Sequence, residues 1–232
     1  SEPFTLNGIL HWDSDKPMRV ALKDMTMQAI DTHLAASLAV DATYTDEIIV
    51  ESLNLKTAPI SYSKLVAALP KEYRNEVASI RTNLTFDFAA ALKEPYNLKT
   101  DSFPSLEAQL NVPDCYVETV NGKLRLDHME MAATADLNKD KPELSVAKLS
   151  KMLLSAKGMS INVTGEATDV MRDALIQGDI KGDADLGALI QLLALNFDFS
   201  LKGILNANTH LNSRLSSFTN LAYHKIQLDG TA

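Results

Sequence analysis

Phe4-Thr5-Leu6-Asn7-Gly8-Ile9-Leu10-His11-Trp12 opens the chain with Phe4, Leu6, Gly8, Leu10 and Trp12 at every second position. Period-two alternation puts those five residues on one face of a β-strand. Phe197-Asp198-Phe199-Ser200-Leu201-Lys202-Gly203-Ile204-Leu205 repeats the device near the other end. There Phe197, Phe199, Leu201, Gly203 and Leu205 fall in line. Between these two stretches the same alternation recurs over 34–42, 84–92, 106–112 and 159–166, and it returns over 222–230. Each stretch reads as an antiparallel strand with one buried and one wet face.

Turn chemistry separates the strands. Asp13-Ser14-Asp15-Lys16-Pro17, Asn121-Gly122, Asn138-Lys139-Asp140-Lys141-Pro142 and Lys157-Gly158 are turn sequences. Asn121-Gly122 between two apolar runs is the strongest hairpin signal. Helices are few. Ser61 to Pro70 has Ser61 or Ser63 as N-cap and Pro70 as a stop, and Tyr73, Val77 and Ile80 continue at helical spacing to residue 80. Asp185 to Leu193 reads as a second short helix capped by Asp185. Val146 to Ala156 fits either helix or strand, and pairing with 159–165 favours strand.

These landmarks recur in the same order. A Met-rich strand (Met25, Met27; then Met159), a meander, a short apolar helix and a Phe-Asp-Phe strand occur in both halves. The expected fold is therefore mainly β: long, twisted antiparallel sheet curling around an apolar interior, with two or three short helices and a degenerate internal repeat. One unit spans 1–120, with its helix near 61–80, and the other spans 121–232, with its helix near 185–193. Together they are expected to form one continuous elongated structure, a piece of a longer protein.

Composition narrows the function. Of 232 residues, 46% are hydrophobic and 22% charged, which suits a folded chain and not a disordered one. The net charge of −8 argues against nucleic acid as a partner, since phosphate binding needs clustered Lys and Arg. Cys115 is the sole cysteine, so no intramolecular disulfide forms, and beside Tyr116 it reads as a small buried hydrophobe. No run approaches the ~18 apolar residues of a membrane-spanning helix.

A search for chemistry finds none. The histidines 11, 33, 128, 210 and 224 lack zinc spacing. Asp127-His128-Met129-Glu130 is the densest cluster, but alternation sends Asp127 and His128 to opposite sides, as at a solvated strand edge. Gly178-Asp179-Ile180-Lys181-Gly182 has no following Lys-Ser or Lys-Thr, and its glycines, between strand-like residues, read as allowing a bulge or close packing. No cofactor or metal is expected, and no enzyme motif is present. Function then falls to the apolar strand faces, around Leu84, Phe86, Phe88, Leu106, Leu110, Phe197, Phe199 and Leu201. Two outcomes stand open: a closed, packed core, or an open groove that holds lipid acyl chains.

Residues 144–232 resemble the periplasmic β region of the AsmA-like (TamB-like) family. The likeness lies in Met159-Ser160-Ile161-Asn162-Val163-Thr164-Gly165, in Ala184-Asp185-Leu186 stepping into a short helix, and in Leu201-Lys202-Gly203-Ile204-Leu205. Leu6-Asn7-Gly8-Ile9-Leu10 and the helix around Leu65 extend it into the first half. The resemblance implies a non-enzymatic periplasmic β groove, tied to the inner membrane by a segment this sequence lacks. It implies a part in outer-membrane biogenesis or lipid transport between membranes, with phospholipid or another lipid, or a membrane or envelope protein, as partner. The alternative is a structural or protein-binding β scaffold with a fully packed core.

Overall fold

The computed structural model describes residues 4–14, 18–29, 35–44, 48–57, 59–68, 74, 80–119, 125–187, 202–220 and 226–231. Its first half contains strands β1 (Phe4–Asp13), β2 (Met18–Ala29), β3 (Ala35–Tyr44), β4 (Ile48–Thr57) and β5 (Ile60–Ser61). Helix α1 (Tyr62–Ala68) follows, then β6 (Ile80–Thr82), β7 (Thr85–Leu92), β8 (Tyr96–Asn97) and β9 (Leu106–Thr119). The second half contains β10 (Arg125–Leu137), β11 (Val146–Ala156), β12 (Met159–Thr168), β13 (Leu175–Asp185), β14 (Ile204–Arg214), helix α2 (Leu215–Thr219) and β15 (Gln227–Thr231).

Twelve of these strands form one antiparallel sheet in the order β1-β2-β3-β4-β7-β9-β10-β11-β12-β13-β14-β15, with β5, β6 and β8 pairing onto β7, β9 and β4. The path is open, because β1 and β15 lie at its two ends. Among long strands, every neighbour in space is the neighbour in sequence, the arrangement that short turns between alternating strands dictate. The sheet runs unbroken across residue 120, where Val117 pairs with Leu126 and Glu118 with Arg125.

Register decides which residues share a face. Phe88 lies opposite Leu110, Leu110 opposite Ala133, Ala133 opposite Leu149 and Leu149 opposite Gly165. The row continues through Gly178, Leu211 and Leu228. A parallel row runs Leu55, Ala90, Ala108, Ala135, Ala147, Ala167 and Ile176. The opposite face carries Lys56, Gln109, Thr134, Lys148, Glu166, Gln177, His210 and Asp229. Over 159–167, 176–184 and 204–211 burial alternates, with the outward face exposed and the apolar face half-buried or buried. No second layer covers the sheet among the described residues, so this asymmetry marks a curled sheet with its apolar face inward.

Bulges keep that face in line where the sequence breaks step. In β11 one extra residue sits between Leu149 and Met152, as judged from both neighbouring strands. Ser150 Oγ donates to Ala132 O at 3.0 Å inside this bulge. Two apolar residues three apart then share one face, which is why this segment carries helical spacing while forming a strand. Pro113 is accommodated the same way, at an irregularity in β9 between Val112 and Cys115.

Several expectations hold in detail. Ser61 caps α1, its Oγ accepting the Lys64 N–H at 3.4 Å. Lys157-Gly158 is a two-residue turn between the paired residues Ala156 and Met159, and Gly158 takes φ +75° there. Asn121-Gly122 lies outside the described residues, although β9 and β10 flank it as an antiparallel pair.

Three expectations are corrected. Ile80 is not helical: it opens β6 and pairs with Thr119, because β9 extends beyond the part matched by β7 and a β-competent Ile-Arg-Thr run completes its edge. Of the strand read over Phe197–Leu205, residues 197–201 lie outside the described residues, and β14 starts at Ile204. Lys202 and Gly203 precede it, and Gly203 O accepts the Leu186 N–H at 3.0 Å, so the chain is turning there. Asp127-His128 is not at a strand edge, since β10 lies between β9 and β11.

Buried polar groups fasten the loops at one end of the sheet. Ser105 Oγ donates to Glu94 and accepts the Lys139 N–H at 2.8 Å. Ser145 Oγ accepts the Asn138 N–H at 2.9 Å. The Asp101 carboxylate takes the Asn97 N–H at 2.9 Å, and Asp173 takes both the N–H and the hydroxyl of Ser216 at 2.9 Å. These backbone amides hold both carboxyls below their usual pKa of 3.8. A depressed folded-state pKa stabilises above the unfolded value and is lost as pH falls through the folded value. The unfolding midpoint is therefore expected to drop below about pH 4, and the pair Asp101→Asn and Asp173→Asn to flatten that acid limb in a pH series of urea denaturations.

Candidate lipid-binding face

The residues singled out from sequence meet on the apolar face where they can be seen. Phe86 and Phe88 sit two apart on β7, and both are half-buried. Phe88 faces Leu110, Leu92 faces Leu106, and Phe86 faces Ile60. Leu84 falls just outside β7: its N–H donates to Thr82 Oγ1 at 2.9 Å and its carbonyl accepts the Tyr62 N–H at 2.8 Å, which ties α1 to the sheet. Phe197, Phe199 and Leu201 lie outside the described residues.

The face is unevenly covered. Leu126, Met159 and Ala184 are buried together, with Val117, Met129, Leu154, Ala156 and Ile161 packed around them. This cluster lies toward the end where β11 turns into β12 and where β13 steps into a helical turn at Leu186–Gly187. Moving along the strands from there, the same face becomes half-exposed at Val163, Ile180, Ile176 and Leu149. Apolar side chains are thus covered at one end and open over the middle.

In that middle lies a hollow of about 280 Å³ lined by Leu149, Val163, Ile176, Ile180 and Leu211 around the paired Gly165 and Gly178. Its volume approaches the lower range of small-molecule sites. The two glycines make it: they lie directly opposite each other and have no side chains to fill the space between the flanking aliphatics. Their backbones also approach closely. A Cβ on Gly178 would meet Thr164 O at 2.6 Å, and one on Gly165 would meet Gln177 O at 2.8 Å. From sequence, Gly178 reads as allowing a bulge or close packing, and Gly165 as one position of an alternating strand. That the two pair with each other, and so make a dent, depends on the β12–β13 register.

The wet face is stitched by cross-strand pairs. Lys93 contacts Asp136 at 2.6 Å, Lys151 contacts Glu130 at 2.7 Å, His128 contacts Asp114 at 3.1 Å and His210 contacts Asp179 at 3.1 Å. The hydrogen bond to Asp136 raises the pKa of Lys93. Pairs this exposed contribute on the order of 0–1 kcal/mol each. Cys115 is buried, its thiol directed at Met129 O at 3.3 Å, and burial pushes its pKa up, away from thiolate chemistry. Among the described residues no group of three or more His, Cys, Asp or Glu is placed to hold a metal, and no helix is long and apolar enough to cross a membrane.

Comparison with protein-family models, with curated proteins and with solved structures gives no significant match.

The paired glycines generate a direct expectation. Gly178→Ala should lower stability by about 1–3 kcal/mol, because the added methyl must push two strands apart. The shift of the urea midpoint measures it; an unchanged midpoint would mean that the strands separate there without cost.

Proposed function

We propose that this chain is a lipid-holding β segment of AsmA-like type, which shelters acyl chains on the apolar face of its curled sheet and performs no catalysis. One observation carries the reading: an apolar face continuous in register from Leu55 to Leu211 lies half-exposed, with no second layer on it among the described residues. Soluble chains rarely leave contiguous apolar area of this extent without a partner. An acyl chain suits it because the rows run across many strands, giving a long, featureless apolar track with no polar group to select a compact ligand. Each half-exposed aliphatic side chain that such a chain covers contributes on the order of 1 kcal/mol. The resemblance adds the setting: the periplasm, an inner-membrane anchor outside this sequence, and phospholipid movement between membranes as the task.

A photo-crosslinking residue at Leu149 or Phe88 is expected to label lipid in cells, and one at Gln177 on the wet face is not. Native mass spectrometry of the purified chain should carry lipid adducts that disappear on denaturation. A lipid-free protein that also fails to bind an apolar dye would sink the proposal and favour a packed scaffold.

A further inference from the structure

Strand β1 bounds the sheet on one side and β15 on the other, and each has a single neighbour among the described residues. Such an edge turns N–H and C=O groups outward and invites another strand, unless shortness, charge or proline blunts it. β15 is blunted, being five residues long with Asp229 at its centre. β1 is not. It runs for ten residues, and Phe4 to Trp12 contains no Asp, Glu, Lys, Arg or Pro. The bulge beside it belongs to β2, where Asp24 and Met25 together stand against Gly8, so β1 itself carries no extra residue. Ile9 is 53% exposed, Leu10 61% and Trp12 63%.

The order of residues along β1 limits what fits this edge. At positions 4, 6, 8, 10 and 12 the strand reads aromatic, Leu, Gly, Leu, aromatic, the same in both directions. A two-fold antiparallel contact needs that symmetry, because each copy presents the same patch to the other. Centred on Gly8, the pairing sets Phe4 opposite Trp12 of the second copy, Leu6 opposite its Leu10 and Gly8 opposite its Gly8. The alternate positions bring Thr5 opposite His11 and Asn7 opposite Ile9. No carboxylate meets another there, which matters between chains of net −8. β15 lacks this fit, since pairing about its own centre would set Asp229 against Asp229. Glycine facing glycine across a strand pair already occurs within the sheet, at Gly165 and Gly178.

We infer that β1 is a dimerisation edge, at which two copies of this chain join their sheets by antiparallel β1–β1 pairing about Gly8. Directly opposed residues share a face, so the apolar faces of both copies lie on one side. The apolar row through Ala90 and Leu55 continues in register to Leu38 and Met25, beside Gly8. Across the axis it meets the same row of the other copy. Two-fold pairing occupies both β1 edges and stops at two copies, whereas β1 added to β15 of the next copy would propagate without end. A strand edge buries little area, so the dimer is reversible and its population follows concentration. The pairing rests on β1 and not on the lipid function proposed above.

Sedimentation equilibrium of the parent chain is expected to fit a 25.4 kDa monomer in exchange with a species of twice that mass. Trp12 is the only tryptophan, and its emission should shift to the blue as the dimer forms. Gly8→Cys gives a sharper readout. Opposed Cα atoms stand about 4.5–5.5 Å apart, within disulfide reach, so copper phenanthroline should oxidise the two thiols to a covalent dimer. Leu10→Cys, roughly 13 Å from its own copy in this register, should not cross-link. The parent, whose Cys115 is buried, is the control and should not cross-link either. Leu10→Lys should weaken the dimer about tenfold or more, and Leu228→Lys on β15 should leave it unchanged. A far-UV spectrum checks that the variants fold, and the parent's mass needs no variant. A parent that stays monomeric at its highest soluble concentration would overturn the inference, as would growth beyond two copies. So would a dimer that Leu228→Lys removes and Leu10→Lys spares, or one in which Gly8→Cys folds and fails to cross-link.

Discussion

Strand register is the constraint on which the rest of this protein depends. A one-residue slip between β12 and β13 would turn Ile161, Val163 and Gly165 against Lys181, Asp179 and Gln177. It would also dissolve the pairing of Gly165 with Gly178 and the hollow above it. Because each strand templates the next, the same slip would pass along the sheet. The bulges in β9 and β11 are best understood in this light: each absorbs an extra residue so that the apolar rows stay aligned over their neighbours.

A single-layer sheet with one apolar face is an incomplete structure in water. Such a face is ordinarily closed by a second sheet, by helices or by closure into a barrel. Among the described residues none of these is present, and the buried apolar residues are few: Leu126, Met159 and Ala184, which pack together, and Val112, Cys115 and Ala174. Stability must then lean on the long ladder of backbone hydrogen bonds and on curvature that packs half-exposed side chains against their neighbours.

Much of this was legible from residues. Alternation in 84–92, 106–112 and 159–166 identified strands that the structure contains, Ser61 was readable as a cap, and Lys157-Gly158 as a turn. Of the candidate site residues, Phe86, Phe88, Leu106 and Leu110 fall on one face because β7 and β9 pair as sequence neighbours do. Ile80 misled because helical spacing over so short a run is weak beside the unpaired edge of β9, a tertiary fact. Leu149, Ile176 and Leu211 were not singled out, since nothing local distinguishes them from other apolar strand residues. Only their meeting around two glycines does.

By itself, then, the sequence determined that this chain is a meander of amphipathic strands with one apolar side, because side-chain direction in a strand follows from period two alone. Tertiary structure decided which residues stand opposite each other, and where the face is covered and where it is open. Those properties depend on register and on strand order along the sheet. Neither is a local property of any stretch of chain; both arise only when all the strands are laid side by side.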